Sequence, residues 1–207
     1  MVQNGLKEFQ THISENVLHL PLNGPLCDTS RTMHRPQVLE YREDLEYYWV
    51  DGPAYPVTAA QSCRLAADLL AALAAARRGT FYFSHSGALL KLLALLGVGG
   101  EEGLTADGFS TMGVERRWRT SRIGPFAGNV FFVLLAPAGR AAAGEEEMEV
   151  VMYLNEVVTA VPGCGGEATP CTLAALRRLH GGPCEFDAIC RLEEEDPRDG
   201  EVPDDRY

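Results

Sequence analysis

The sequence predicts an α/β fold, and three observations carry that expectation. An apolar aromatic run, Phe81-Tyr82-Phe83, stops at a polar cluster, Ser84-His85-Ser86-Gly87, and a leucine-rich helical pattern follows at once. Two further apolar runs, Asn129–Leu135 and Glu147–Leu154, are consecutive and joined by an Ala/Gly-rich turn, which predicts an antiparallel hairpin. Segments with apolar residues at helical spacing flank both units. A strand that ends in a small polar turn and opens a helix exposes the turn's side chains in a crevice beside unpaired backbone amides. The unit at residues 80–96 is therefore the expected centre of function.

Taken in order, residues 1–37 have weak periodicity and several breakers (Gly24, Pro25, Pro36) and are expected to be loosely structured. Val38–Trp49 places Leu39, Leu45, Tyr48 and Trp49 at helical intervals, and Asp51-Gly52-Pro53 ends that helix by turn chemistry. Tyr47, Tyr48 and Trp49 are expected in the core. Thr58 can cap the next helix, whose stripe runs through Cys63, Leu65, Ala66, Leu69, Leu70, Leu73 and Ala74, with Gly79 as its stop. The strand Thr80–Ser84 and a helix from Gly87 to Leu96 follow. Val157–Val161 suggests a short third strand beyond the hairpin, and Thr172 can cap a helix ended by Gly181-Gly182. From Glu193 the chain is acidic and poor in apolar residues, the composition of a disordered tail.

At 207 residues the chain can bury a core of its own. A net charge of −11 argues against nucleic acid as a partner, because phosphate backbones require a basic face. No apolar run has the length of a membrane span, and the amino terminus lacks the pattern of a secretory signal. Six cysteines permit disulfides. Cys184 and Cys190 flank five residues, a length that a local bridge can close, worth about 2 kcal/mol by loop entropy. Cys164, Cys171, Cys184 and Cys190 lack the close spacing of a zinc knuckle, so neither metal nor cofactor is expected.

Two groups of residues have chemistry to offer. His85 at the start of a helix is either a structural hydrogen-bonding residue or a ligand for an oxyanion. Four arginines, Arg116, Arg117, Arg119 and Arg122, crowd into seven positions of an acidic chain. Guanidinium forks grip phosphate oxygens, so the pairing with His85 points to an anionic, phosphorylated small molecule. The alternative is a solvated segment making surface ion pairs. Ser86 admits a different chemistry, since Ser84–Ala88 fits a relaxed nucleophile elbow. A serine hydrolase also needs an acid and a later histidine; the only later histidine is His180, and Asp107 and Glu156 have no distinguishing context.

From Val38 to Leu192 the chain resembles the histidine acid phosphatase family, in its phytase-like, multiple inositol polyphosphate phosphatase branch, carboxyl-terminal half. The blocks that carry the resemblance are VLEYREDLEYYWVDG, the pair Ser62-Cys63, FSHSGALLKLLALLGV, RTSRIGPFAGNVFFVLL, VVMYLNEVV and Cys184…Cys190. The resemblance implies part of a histidine-phosphatase-like core and hydrolysis of phosphomonoesters, inositol polyphosphates and bisphosphoglycerate among them, through a phosphohistidine. It places His85 on the histidine that binds phosphate in the family's second catalytic block, His-Ala-Glu. Gly87 then falls where the family has its acid. The nucleophile motif Arg-His-Gly-x-Arg-x-Pro occurs nowhere in this chain. The chain is therefore expected to be inactive by itself, as a fragment, an alternative form or a diverged copy. The alternative from another class is a non-catalytic remnant that binds anions or associates through an exposed sheet edge. The family resemblance also implies the endoplasmic reticulum lumen or secretion.

Overall fold

The computed structural model describes residues 34–76, 78–100, 103–109, 116–138, 144–164, 171–186 and 188. Its first element, helix α1 (His34–Val50), begins ahead of the predicted Val38, so residues 34–37 are helical rather than loose. The rest of the amino-terminal segment, Cys190 and the acidic stretch from Glu193 lie outside the described residues. α1 buries Leu45 and Tyr48, with Tyr47 and Trp49 packed beside them, as expected; Tyr41 is buried with them, while Leu39 is exposed.

The single helix expected after Thr58 is two: α2 (Pro56–Ala60) and α3 (Cys63–Ala74). Ser62, not Thr58, is the residue that precedes the long one, and Thr58 is buried inside α2. Proline at the first position suits α2, because its fixed φ is helical and its missing N–H would have had no partner there. α3 turns Ala66, Leu70 and Leu73 inward. Helix α4 (Ser86–Leu95) packs against both α2 and α3 and buries Leu90, Leu92 and Leu93.

The sheet has β2 at its middle. Strand β1 (Val130–Leu135) pairs with β2 (Glu149–Leu154) antiparallel, Phe132 opposite Met152. β3 (Val157–Thr159) pairs with one end of β2 and β4 (Cys171–Thr172) with the other. The expected hairpin is present, and the third strand stops at Thr159 rather than Val161. Asn155 and Glu156 make the β2–β3 turn, both at positive φ (48° and 69°), the conformation that suits the right-handed twist of a two-residue hairpin. The Asn155 side chain then fastens the turn. Its Nδ2 donates to Arg122 O at 2.7 Å, and its Oδ1 accepts from the backbone N–H of Asn129 at 3.0 Å. Helix α6 (Leu173–His180) covers β2 and leans on α3, and Thr172 caps it as predicted, its Oγ1 accepting from Ala175 N at 3.1 Å. The short helix α5 (Thr120–Ile123) docks on α1.

Trp118 fills the space between these layers. It is fully buried, edge-on to Tyr48 with ring centroids 6.2 Å apart. Gly52 and Gly99 are required on either side of it. A side-chain carbon at 52 would stand 2.6 Å from Trp118 Cζ2, and one at 99 would stand 2.7 Å from Cε3.

Two expectations are overturned here. Residues 80–84 form no strand, and no described strand pairs with them. Phe81 and Phe83 are 82% and 95% exposed. An apolar run becomes a buried strand only when neighbouring strands pair with it and cover it; here no described strand does so, and Tyr82 instead donates its hydroxyl to Asp68 of α3 at 2.5 Å. The strand-turn-helix at 80–96 is thus a turn and a helix. The second correction concerns Cys184, which bonds to Cys63 and not to Cys190; a further bridge joins Cys164 to Cys171. Packing of the carboxyl-terminal segment onto α3 brings the Cα atoms of Cys63 and Cys184 to 5.3 Å. No described helix is long and apolar enough to cross a membrane.

Candidate functional site

α4 determines where the candidate residues point. Its leucines are held in the core, so its first turn is fixed while the residues ahead of it remain at the surface. His85 is the cap residue, with extended backbone (φ −98°, ψ 163°), and its carbonyl accepts from the amides of Ala88 and Leu89 at 3.1 and 3.3 Å. Its imidazole makes no capping bond. His85 and Ser86 are both exposed. The turn therefore presents an imidazole, a hydroxyl and the amide-rich, partly positive end of a ten-residue helix to solvent. That arrangement can hold an anion.

Behind the turn stands a carboxylate. Asp51, in the loop that ends α1, forms an ion pair with Lys91 of α4, Nζ to Oδ1 2.6 Å. Its side chain also lies against Gly87.

The four arginines divide. Arg116 and Arg119 have carboxylate partners on α1, one turn apart: Asp44 and Glu40. Arg116 Nε donates to Asp44 Oδ2 at 2.6 Å, and its Nη2 bonds the same oxygen. Thr120 donates to Asp44 Oδ1 from both its backbone N–H and its hydroxyl, each at 2.7 Å. Arg119 Nη2 reaches both oxygens of Glu40 at 2.8 and 2.7 Å, and Ser121 donates to Glu40 as well, at 2.5 Å. Burial alone would raise the Glu40 carboxyl. The bonds from Arg119 and Ser121, with the charges of Arg119 and Arg116, outweigh it and hold the group below its usual range. The Arg116 guanidinium also lies 5.1 Å from the centre of the Tyr41 ring. Burial pushes the Tyr41 phenol up, against the charge of Arg116, while its hydroxyl donates to Thr105 O at 2.8 Å. Arg117 and Arg122 are exposed.

The parts of a serine site lie on separate elements. Ser86 opens α4, Asp107 is in the 3-10 turn Ala106–Gly108, Glu156 is in the β2–β3 turn, and His180 ends α6. Burial lowers the His180 pKa, and its Nε2 has no hydrogen-bond partner among the described residues. Glu40, Asp44 and Asp51 were not singled out by sequence reasoning. The signal for the first two was available: Glu40 and Asp44 are carboxylates four apart in a predicted helix.

No protein-family model matches the chain. Curated relatives do, and three bear the name multiple inositol polyphosphate phosphatase 1. The protein of Drosophila melanogaster is 35% identical over 130 residues, 61% of this chain and 27% of the relative. The Homo sapiens protein is 33% identical over 149 residues (66% and 30%), and that of Gallus gallus 31% over 171 residues (75% and 37%). Most of the chain is thus a region like part of that phosphatase, and it spans about a third of the length of the relatives it matches.

Proposed function

We propose that this partial, multiple-inositol-polyphosphate-phosphatase-like chain binds the phosphate groups of inositol polyphosphates at the exposed start of α4, with His85 as ligand. The observation that supports this reading is the combination of an exposed cap histidine with a helix amino terminus to which that histidine makes no capping bond, on a chain whose relatives are named as phosphatases of that substrate class. An imidazolium and helix amides together supply donors and positive charge to a phosphate. Of the arginines, Arg117 and Arg122 are the ones whose exposure suits an anion from solution. The fold would then be part of a histidine-phosphatase core, and bisphosphoglycerate a smaller ligand of the same chemistry. Two disulfides suit an oxidising compartment, in keeping with the endoplasmic reticulum lumen or secretion.

Turnover is not expected from the chain by itself, because it lacks an Arg-His-Gly-x-Arg-x-Pro motif and with it the group that would accept the phosphoryl. The expected result with purified protein is a rise in melting temperature with inositol hexakisphosphate, lost in His85→Ala, and no release of inorganic phosphate. Hydrolysis by the 207-residue protein that disappears in His85→Ala would refute the inactivity. A fluorophosphonate probe separates the serine-hydrolase reading, which requires labelling that Ser86→Ala removes.

A second reading, association with another chain, is supported by Phe81 and Phe83, which no described residue covers. The outward row Phe131, Val133 and Leu135 on β1 is exposed too, so the apolar surface is not confined to one residue. Sedimentation of the wild type is expected to show concentration-dependent association. The double variant Phe81→Asp/Phe83→Asp should sediment as a monomer with an unchanged melting temperature, since both rings are already in solvent. A wild type that stays monomeric at high concentration would remove self-association.

A further inference from the structure

The first turn of α4 is not without a carboxylate; one reaches it from another element. Asp51 follows α1, its N–H bonded to Tyr47 O at 2.9 Å, and its side chain points at Gly87. A side-chain carbon at position 87 would lie 2.9 Å from Asp51 Oδ2, 3.2 Å from Cγ and 3.3 Å from Oδ1. The carboxylate therefore occupies the volume that any side chain at 87 would need. Lys91, one turn further along α4, holds Oδ1 at 2.6 Å; its side chain is 25% exposed and that of Asp51 13%. Glycine at 87 and aspartate at 51 fit each other. With a larger residue at 87, this placement of Asp51 would be blocked.

We infer that Asp51 is the carboxylate of the phosphate site at His85, brought in from the α1–α2 loop to the position that Gly87 leaves empty. This rests on the reading that His85 holds a phosphate. Position 87 is two residues from the histidine in the same helical turn, so a carboxylate there borders any anion bound at the turn. Paired with Lys91, it opposes a bound anion by like charge. Lys91 is a positioning residue, acting through Asp51.

The test is calorimetric titration of the full chain with inorganic phosphate and with inositol hexakisphosphate at pH 7. Asp51→Asn removes one negative charge from the border of the site and leaves an amide that can donate. Affinity is expected to rise by about fivefold or more, the scale of one like charge a few ångströms away in a partly exposed site. The double variant Asp51→Gly/Gly87→Glu carries the carboxylate back to the helix and should return the affinity to that of the wild type. A merely structural Asp51 would not show that recovery. If His85→Ala abolishes binding while Asp51→Asn leaves it unchanged, the inference is overturned and the phosphate reading stands. If neither the wild type nor Asp51→Asn takes up phosphate or inositol hexakisphosphate, both fall.

Discussion

Asp44→Ala is expected to lower the free energy of unfolding by about 3–5 kcal/mol, the range for removing one partner of a buried ion pair. Asp44 is fully buried and takes every bond its two oxygens are shown to make from the segment Arg116–Thr120. The Arg116 side chain is 1% exposed, so its charge has no water to turn to. After the substitution it would keep Glu40, whose Oε2 stands 3.5 Å away, and the face of Tyr41. Thr120 would lose the acceptor for its backbone N–H at the start of α5. The same bonds dock α5 on α1, and Trp118 is fixed between Arg116 and Thr120, so disorder would spread into the core around Tyr48. Urea denaturation followed by tryptophan fluorescence measures this directly. The paired variant Asp44→Leu/Arg116→Met is the control: with both charges gone it should recover most of the loss, because nothing ionic remains buried unpaired. A loss below about 1 kcal/mol in Asp44→Ala would mean that water reaches the network.

Glu40 gives the network its pH sense. Its carboxyl titrates lower folded than unfolded, so the stability it contributes is full above the unfolded value and is lost as pH falls through the folded one. Acidification therefore loosens the contact between Arg119 and α1 without touching the leucines of α4.

What was legible in the chain was local. The α4 leucines, the Thr172 cap and the β1–β2 hairpin depend on residues within one element or one turn, and each is where its pattern placed it. What was not legible depends on partners far away in sequence. Arg116 and Arg119 read as an anion clamp from residue type, and the carboxylates that hold them lie 72 and 79 residues earlier, beyond any local pattern. Phe81-Tyr82-Phe83 looked like a buried strand because composition records what a segment would do with neighbours, not whether they are present. The carboxylate that lies against Gly87 comes from a different loop, which no pattern around Gly87 shows. For the site, residue type was readable and company was not.

The bridge from Cys63 to Cys184 is the second place where one change should have a large effect. It joins residues 121 apart, so in the unfolded chain it closes a loop that takes in α3, α4, the sheet and α6. Loop entropy assigns such a link about 5 kcal/mol, against about 2 kcal/mol for the bridge from Cys164 to Cys171, whose residues are 7 apart. The folded side agrees in direction, since Arg64 next to Cys63 lies 4.3 Å over the ring of Phe186 and holds the same segment against α3. The double variant Cys63→Ser/Cys184→Ser, with no thiol left to re-pair, should therefore unfold at lower guanidinium concentration than Cys164→Ser/Cys171→Ser. The expected gap is about 2–3 kcal/mol, and it should close when a reductant opens the bridge that remains in each variant. Tryptic mapping without reduction would find the Cys63 and Cys184 peptides joined. A map that joined Cys184 to Cys190 instead would restore the short local bridge, shrink the expected loss to about 2 kcal/mol and leave the carboxyl-terminal segment tied to α3 by the Arg64–Phe186 contact.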